Sequence, residues 1–209
     1  MARIGEITRR TKETDVFIRL NLDGTGRAAL EYPLGFMTHM LNTFARHGLF
    51  DLEVRASGDL EVDQHHLVED TGIVLGQCFA SALGDKKGIR RVGSCLFPMD
   101  ETLARAAADL SGRGFLVFEA GLSGIPLTGA QVSGSPGAFQ TDTIEDFWQG
   151  FASAAAVSLH LDILRGRSDH HKIEALFKAA ARALREAVEI DPRSPGDVPS
   201  TKGTLGVAV

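Results

Sequence analysis

The sequence predicts an α+β fold built from two copies of one β-β-α-β-α half, with helices packed on one side of each sheet. Two repeats predict it. His65-His66-Leu67-Val68-Glu69 returns as His170-His171-Lys172-Ile173-Glu174, so the chain writes His-His-x-x-Glu twice. Upstream, Glu13-Thr14, a strand-length segment and Leu22-x-Gly24-x-Gly26 return without a gap as Glu101-Thr102, a segment and Leu110-x-Gly112-x-Gly114. A third observation is periodicity, which changes from strand-like to helical at matching places in both copies.

The elements follow in order. Each half opens with the strand after Glu-Thr, and the paired glycines predict a tight hairpin back into a second strand, 27–32 and 115–120. A helix follows: 35–46 carries Phe36, Met40, Leu41 and Phe44 at helical spacing, and 143–156 carries Ile144, Phe147, Trp148 and Phe151. The next strands are 50–56 and 157–164. The helices bearing His-His-x-x-Glu are 65–83 and 169–188. Residues 122–140, rich in Gly, Ser and Pro, read as a surface loop, and the chain from Asp191-Pro192 onward reads as irregular. The organisation is a first half-repeat over 1–88, a second over 89–190 and a tail over 191–209, forming one compact domain.

Composition narrows the function. The chain has 209 residues, 44% hydrophobic and 23% charged, with a formal net charge of −5. That is enough apolar material for a full core, without the basic bias of a nucleic-acid binder. No run of apolar residues reaches spanning length, so no membrane segment is expected. The N-terminus has no apolar signal core. The two cysteines, Cys78 and Cys95, suit no metal spacing or disulfide scaffold, and Cys78 reads as a buried thiol. A reducing cytoplasmic setting fits.

The doubled motif points to metal chemistry. On a helix, residues at i and i+3 or i+4 share a face, so each Glu can sit beside either of its histidines. Adjacent histidines lie about 100° apart, which suits two ions, one on each flank, better than one. His39 precedes the first motif on an earlier helix, and Asp146 holds the matching place before the second. The candidate ligands are therefore His39, His65, His66, Glu69, Asp146, His170, His171 and Glu174, four for each of two ions. Imidazole and carboxylate without thiolate favour a catalytic Mn, Fe, Co, Ni or Zn over a structural zinc. His47 reads instead as a cap at a helix C-terminus, and His160 as a plain strand residue.

A set of cations points to phosphate: Arg90-Arg91 at the mouth of the second half, Arg113 in its glycine turn, Lys178 one turn beyond Glu174, and Ser200-Thr201-Lys202-Gly203 in the tail. Arginine suits bidentate phosphate contact, and lysine supplies a point charge. Two metals beside phosphate donors suggest a small phosphorylated substrate.

These residues carry a family resemblance. Arg3-Ile4-Gly5-Glu6-Ile7, Asn21-Leu22-Asp23-Gly24-Thr25-Gly26, His47-Gly48-Leu49-Phe50-Asp51, Asp63-Gln64-His65-His66-Leu67-Val68-Glu69-Asp70, Pro98-Met99-Asp100-Glu101, the stretch from His170 to Lys178 and Pro199-Ser200-Thr201-Lys202-Gly203 together resemble the imidazoleglycerol-phosphate dehydratases of histidine biosynthesis. The likeness runs from about Arg3 to Gly206. It implies a carbon–oxygen lyase that dehydrates D-erythro-imidazole glycerol phosphate to imidazole acetol phosphate. It also implies two Mn(II) ions per active site, and trimers assembled into a homo-oligomer of 24 subunits with sites where subunits meet. The family's ligands fall on the eight candidates above, and its substrate contacts on Glu13, Arg91, Arg113, Lys178, Ser200 and Lys202. Thr38 stands where Asp often precedes the first ligand histidine, and Ser168 where Asn is usual. With no fused phosphatase domain, the monofunctional form is expected.

The mechanism the resemblance suggests holds the substrate's imidazole as imidazolate between the metals. The ring then donates electrons as hydroxide leaves the side chain, and Glu13 moves the proton. Two other classes use parts of the same pattern: a dinuclear metallohydrolase of a small phosphorylated substrate, and a metal-storage or assembly protein that needs neither the cations nor Glu13.

Overall fold

The computed structural model describes residues 2–128 and 138–205; part of the loop expected over 122–140, and Gly206, lie outside them. The first half contains β1 (Ile4–Arg10), β2 (Thr14–Asn21), β3 (Ala28–Glu31), α1 (Gly35–Gly48), β4 (Asp51–Gly58) and α2 (His65–Leu83). The second repeats the series as β5 (Val92–Met99), β6 (Thr102–Asp109), β7 (Phe115–Glu119), α3 (Thr143–Ala155), β8 (Ser158–Arg165) and α4 (Asp169–Val188). The class is α+β and the halves are duplicated, with one strand more per half than the repeat suggested: β1 and β5 precede the Glu-Thr strands. Both are sheet edges. β1 turns Glu6, Thr8 and Arg10 outward and buries little but Gly5 and part of Ile7, so its apolar alternation is faint.

The sheets run β1-β2-β4-β3 and β5-β6-β8-β7. This corrects the expected hairpin. β3 does not return along β2; it pairs in parallel with β4, which lies between them, and β7 pairs in parallel with β8. The reason is at the glycine loop. Asp51, the first residue of β4, accepts the backbone N–H groups of Thr25 (2.8 Å) and Arg27 (3.0 Å), and Leu52 N–H donates to Arg27 O. The chain leaving β2 is thus carried past the end of β4 to its far side. In the second half, Phe115 N–H donates to Val157 O and holds the same crossing.

Period-two burial aims one face of each sheet inward. Val16, Ile18 and Leu20 of β2 and Leu52 and Val54 of β4 are buried; so are Ala104, Ala106 and Ala108 of β6 and Leu159 and Leu161 of β8. The helices lie between the two sheets. α2 packs on β1, β2 and α3, while α4 packs on β5, β6 and α1. Gly5 and Gly93 make the close helix–strand approach feasible: a Cβ on either would stand 2.0 Å from a helix carbonyl, that of Cys78 or Ala183. Where the halves meet, Phe44, Phe79, Phe147, Trp148, Phe151 and Phe177 form a fully buried aromatic centre, with Trp148 and Phe177 ring centroids 4.8 Å apart. Cys78 is a buried free thiol whose Sγ donates to Ile18 O; burial pushes it up to about 12. Among the described residues, no helix is long and apolar enough to cross a membrane.

Candidate metal centre

The helix pairing sets the site, because each motif helix packs against the first helix of the other half. α4 brings His170 and Glu174 to His39 on α1, and α2 brings His65 and Glu69 to Asp146 on α3. The matching of His39 with Asp146 thus appears as a crossing of halves.

The first group converges. Glu174 Oε2 lies 3.4 Å from His39 Nε2 and 3.3 Å from His170 Nε2, and the three donor atoms lie within 4.8 Å of one another. A carboxylate flanked by two imidazole nitrogens at such spacing suits a first-row transition metal with N/O ligands. Burial pushes the Glu174 carboxyl up, but Lys178 and His39 outweigh it and hold the group below its usual range. The Lys178 ammonium reaches Glu174 Oε1 at 2.8 Å and also lies over the Phe97 ring.

The second group is looser. His65 turns Nε2 toward Glu69 (3.8 Å) and Nδ1 toward Asp146 (3.4 Å), so the ring separates the carboxylates. Among the described residues only the first group gathers three donors.

His66 and His171 join neither group. As the second members of their pairs they project from the other flank of each helix. His66 Nδ1 contacts Asp59 Oδ2 at 3.0 Å, and His171 Nδ1 contacts Glu101 Oε2 at 2.8 Å. The Asp59 hydrogen bond raises the His66 pKa. The His171 ring, then the Ser168 amide, hold Glu101 down at about 2. Asp59 carries no spacing signal, and Glu101, although the repeat sets it opposite Glu13, was not read as a site residue. Glu13 sits beside Asp59, whose N–H donates to Glu13 O at 3.0 Å. The Glu13 carboxylate has no hydrogen bond or ion pair among the described residues. A shallow groove of about 280 Å³, lined in part by Lys12, Glu13 and Thr14, opens there.

The cations fall in two places. Arg91 donates to both oxygens of Asp109 (2.7 and 3.0 Å) and to Pro199 O (2.9 Å). This fastens the tail segment holding Ser200 and Lys202 to the far end of β6. Arg113 follows in the exposed loop after that strand. Lys86, which the sequence did not single out, is buried behind this cluster and donates to Leu110 O. Lys178 stands apart, beside Glu174. The Arg91 N–H donates to Ala187 O near the C-terminus of α4, whereas His170 begins that helix. Because α4 has 20 residues, the two ends are about 30 Å apart. One chain therefore separates Arg91, Ser200 and Lys202 from its own metal-type groups.

Thr38 bonds back to Leu34 O and Tyr32 O rather than to His39, and Ser168 caps α4 by accepting His171 N–H. His47 lies in the last turn of α1 against Phe97; burial, then Lys178 and Arg182, lower its pKa. His160 is exposed on β8.

Fold and site define a class: a protein of two fused, duplicated halves whose helices pack across the boundary between them and bring histidines and carboxylates together. Comparison with known proteins specifies it. The family model for imidazoleglycerol-phosphate dehydratase matches residues 33–184. Imidazoleglycerol-phosphate dehydratase of Herminiimonas arsenicoxydans is 51% identical over 204 residues, 98% of each chain, and that of Methylorubrum populi is 53% identical over 203 residues, 97% of this chain and 100% of the other. The crystal structure of the Staphylococcus aureus enzyme aligns with a TM-score of 0.73 at 35% identity, covering 90% of this chain and 99% of that one. That of the Pyrococcus furiosus enzyme in complex with (S)-C348 aligns at 0.75 and 29% identity, covering 95% and 100%. The chain belongs to the imidazoleglycerol-phosphate dehydratase family. It is accordingly a hydro-lyase of histidine biosynthesis.

Proposed function

We propose that the protein dehydrates D-erythro-imidazole glycerol phosphate to imidazole acetol phosphate with two Mn(II) ions per active site, in the cytoplasm, as a homo-oligomer of 24 subunits assembled from trimers. The observation that carries the metal reading is the convergence of His39, His170 and Glu174 from opposite halves. Asp146, His65 and Glu69 form the corresponding half-set, and His66 and His171 complete the eight ligands. The ions would supply Lewis-acid polarisation and a template for the imidazole ring.

The protein's own side chains do the rest. Arg91, Arg113, Ser200 and Lys202 bind the phosphate by charge-assisted hydrogen bonds, and Lys178 adds a cation beside Glu174. Glu13, with its unengaged carboxylate, takes the carbon-bound proton as hydroxide leaves, and the return of that proton to the hydroxide completes the water. The separation along α4 supports a site shared between copies: the phosphate residues of one chain serve the histidines of another.

The test is turnover of imidazole glycerol phosphate by purified protein, followed as imidazole acetol phosphate formed. Release of inorganic phosphate instead would mark a phosphoester hydrolase and refute the assignment.

A further inference from the structure

We infer that Asp59 and Glu101 are positioning residues that fix the second histidine of each pair through Nδ1, and that this division of labour between the halves is what leaves Glu13 unengaged. The inference rests on the metal reading proposed above.

A carboxylate only accepts hydrogen bonds, so the ring nitrogen facing it must carry the hydrogen. His66 faces Asp59 through Nδ1 at 3.0 Å, and His171 faces Glu101 through Nδ1 at 2.8 Å. Both rings are thereby set in one tautomer, with the Nε2 lone pair free and aimed away from the carboxylate. Partners of this kind orient a ligating imidazole and raise its basicity.

The two braces come from different places in the duplicated fold. Thr14 pairs with Gly58, and Gly58 abuts Thr14 and Leu67. Gly166 abuts Thr102 and Lys172 in the same manner, just after the pairing of Leu103 with Arg165. Glu13 therefore matches Glu101, and Asp59 matches Arg167. In the second half Arg167 has no side-chain acceptor, so Glu101 turns in. Its Oε1 accepts the N–H groups of Arg167 (3.3 Å) and Ser168 (3.1 Å), and its Oε2 is left for His171. In the first half Asp59 accepts from the histidine and contributes only its N–H to Glu13, through the Glu13 backbone carbonyl. One carboxylate position thus became a brace, while its duplicate stayed open.

The experiment is Mn(II) titration of the assembled protein, counting ions per chain and their affinities, together with the melting temperature of each metal-free variant. Wild type should bind two ions per chain. Glu101→Ala and Asp59→Ala should each weaken an ion by about 10–100-fold, Asp59→Ala with the metal-free melting temperature unmoved, and Asp59→Asn, whose side-chain oxygen still accepts from His66 Nδ1, should restore most of the affinity. Glu13→Ala should bind metal as wild type does. Wild-type affinity in either alanine variant, or an Asn variant as weak as Ala, overturns the positioning role. So does a loss of affinity in Asp59→Ala that only follows a fall in the metal-free melting temperature. A wild-type protein that binds no ions overturns the metal reading itself.

Discussion

Glu174 Oε2 stands 3.4 Å from His39 Nε2, a contact between α4 of the second half and α1 of the first. Neither half alone holds this pair, so the fusion of the two copies is a condition of the site.

Glu13→Gln keeps the size of the side chain and removes its basicity. Metal and substrate binding should persist while kcat falls by about 10²–10⁴, the range for loss of a general acid–base group. Steady-state kinetics check it; an unchanged kcat would remove Glu13 from the chemistry.

Lys202→Ala should act mainly on KM. Losing one charged hydrogen bond costs about 1.5–3 kcal/mol, or a rise of roughly tenfold and upward in KM, with kcat little changed. A fall in kcat alone would place Lys202 at the reacting atoms instead.

Sharing of sites between copies can be read by complementation. Glu174→Ala chains and Lys202→Ala chains, each nearly inactive at low substrate, should regain activity when unfolded together and co-assembled. Some sites then combine an intact metal group from one chain with an intact phosphate cluster from another. Mixed assemblies no more active than the parents would confine each site to one chain.

Gly72 of α2 faces the backbone of α3, where an added Cβ would stand 2.1 Å from Phe147 O. Gly72→Ala should therefore destabilise by about 1–3 kcal/mol through overpacking, against the ~1 kcal/mol that Ala otherwise contributes to a helix interior. Urea unfolding reads the balance. A stabilised variant would deny the close packing of α2 on α3, and with it the approach of His65 to Asp146.

The backbone N–H groups of Thr25 and Arg27 hold the Asp51 carboxyl below its ordinary value. A pKa lower folded than unfolded stabilises above the unfolded value of about 3.9 and stops doing so as pH falls through the folded value. In metal-free protein, the stability gap between wild type and Asp51→Ala should be constant near neutrality and close below about pH 4. A gap that widened on acidification would contradict the cap that carries β3 past β4.

Much of this was legible in the sequence. The four helices begin and end close to where periodicity put them, because amphipathic spacing records which face is buried. The repeat singled out His170 and Glu174, but not that Glu174 would meet His39 of the other half as well. That choice is made by helix packing across the aromatic centre of Trp148 and Phe177, which local patterns do not encode. Edge strands β1 and β5 escaped notice because their outward residues answer to solvent. The hairpin was misread because Gly24 and Gly26 signal a turn without saying which strand comes next; Asp51 decides that. Asp59 becomes visible only through its distance to His66, and the repeat that sets Glu101 opposite Glu13 does not tell that it faces His171.

The central claim is a two-ion site in a dehydratase. It is tested most directly by stripping the assembled protein of metal, adding Mn(II) back in measured amounts, and following imidazole acetol phosphate formation beside bound ions per chain. Turnover should be lost on stripping and should return fully only as the count reaches two. Full turnover in stripped protein, or a maximum reached with one ion, would contradict it.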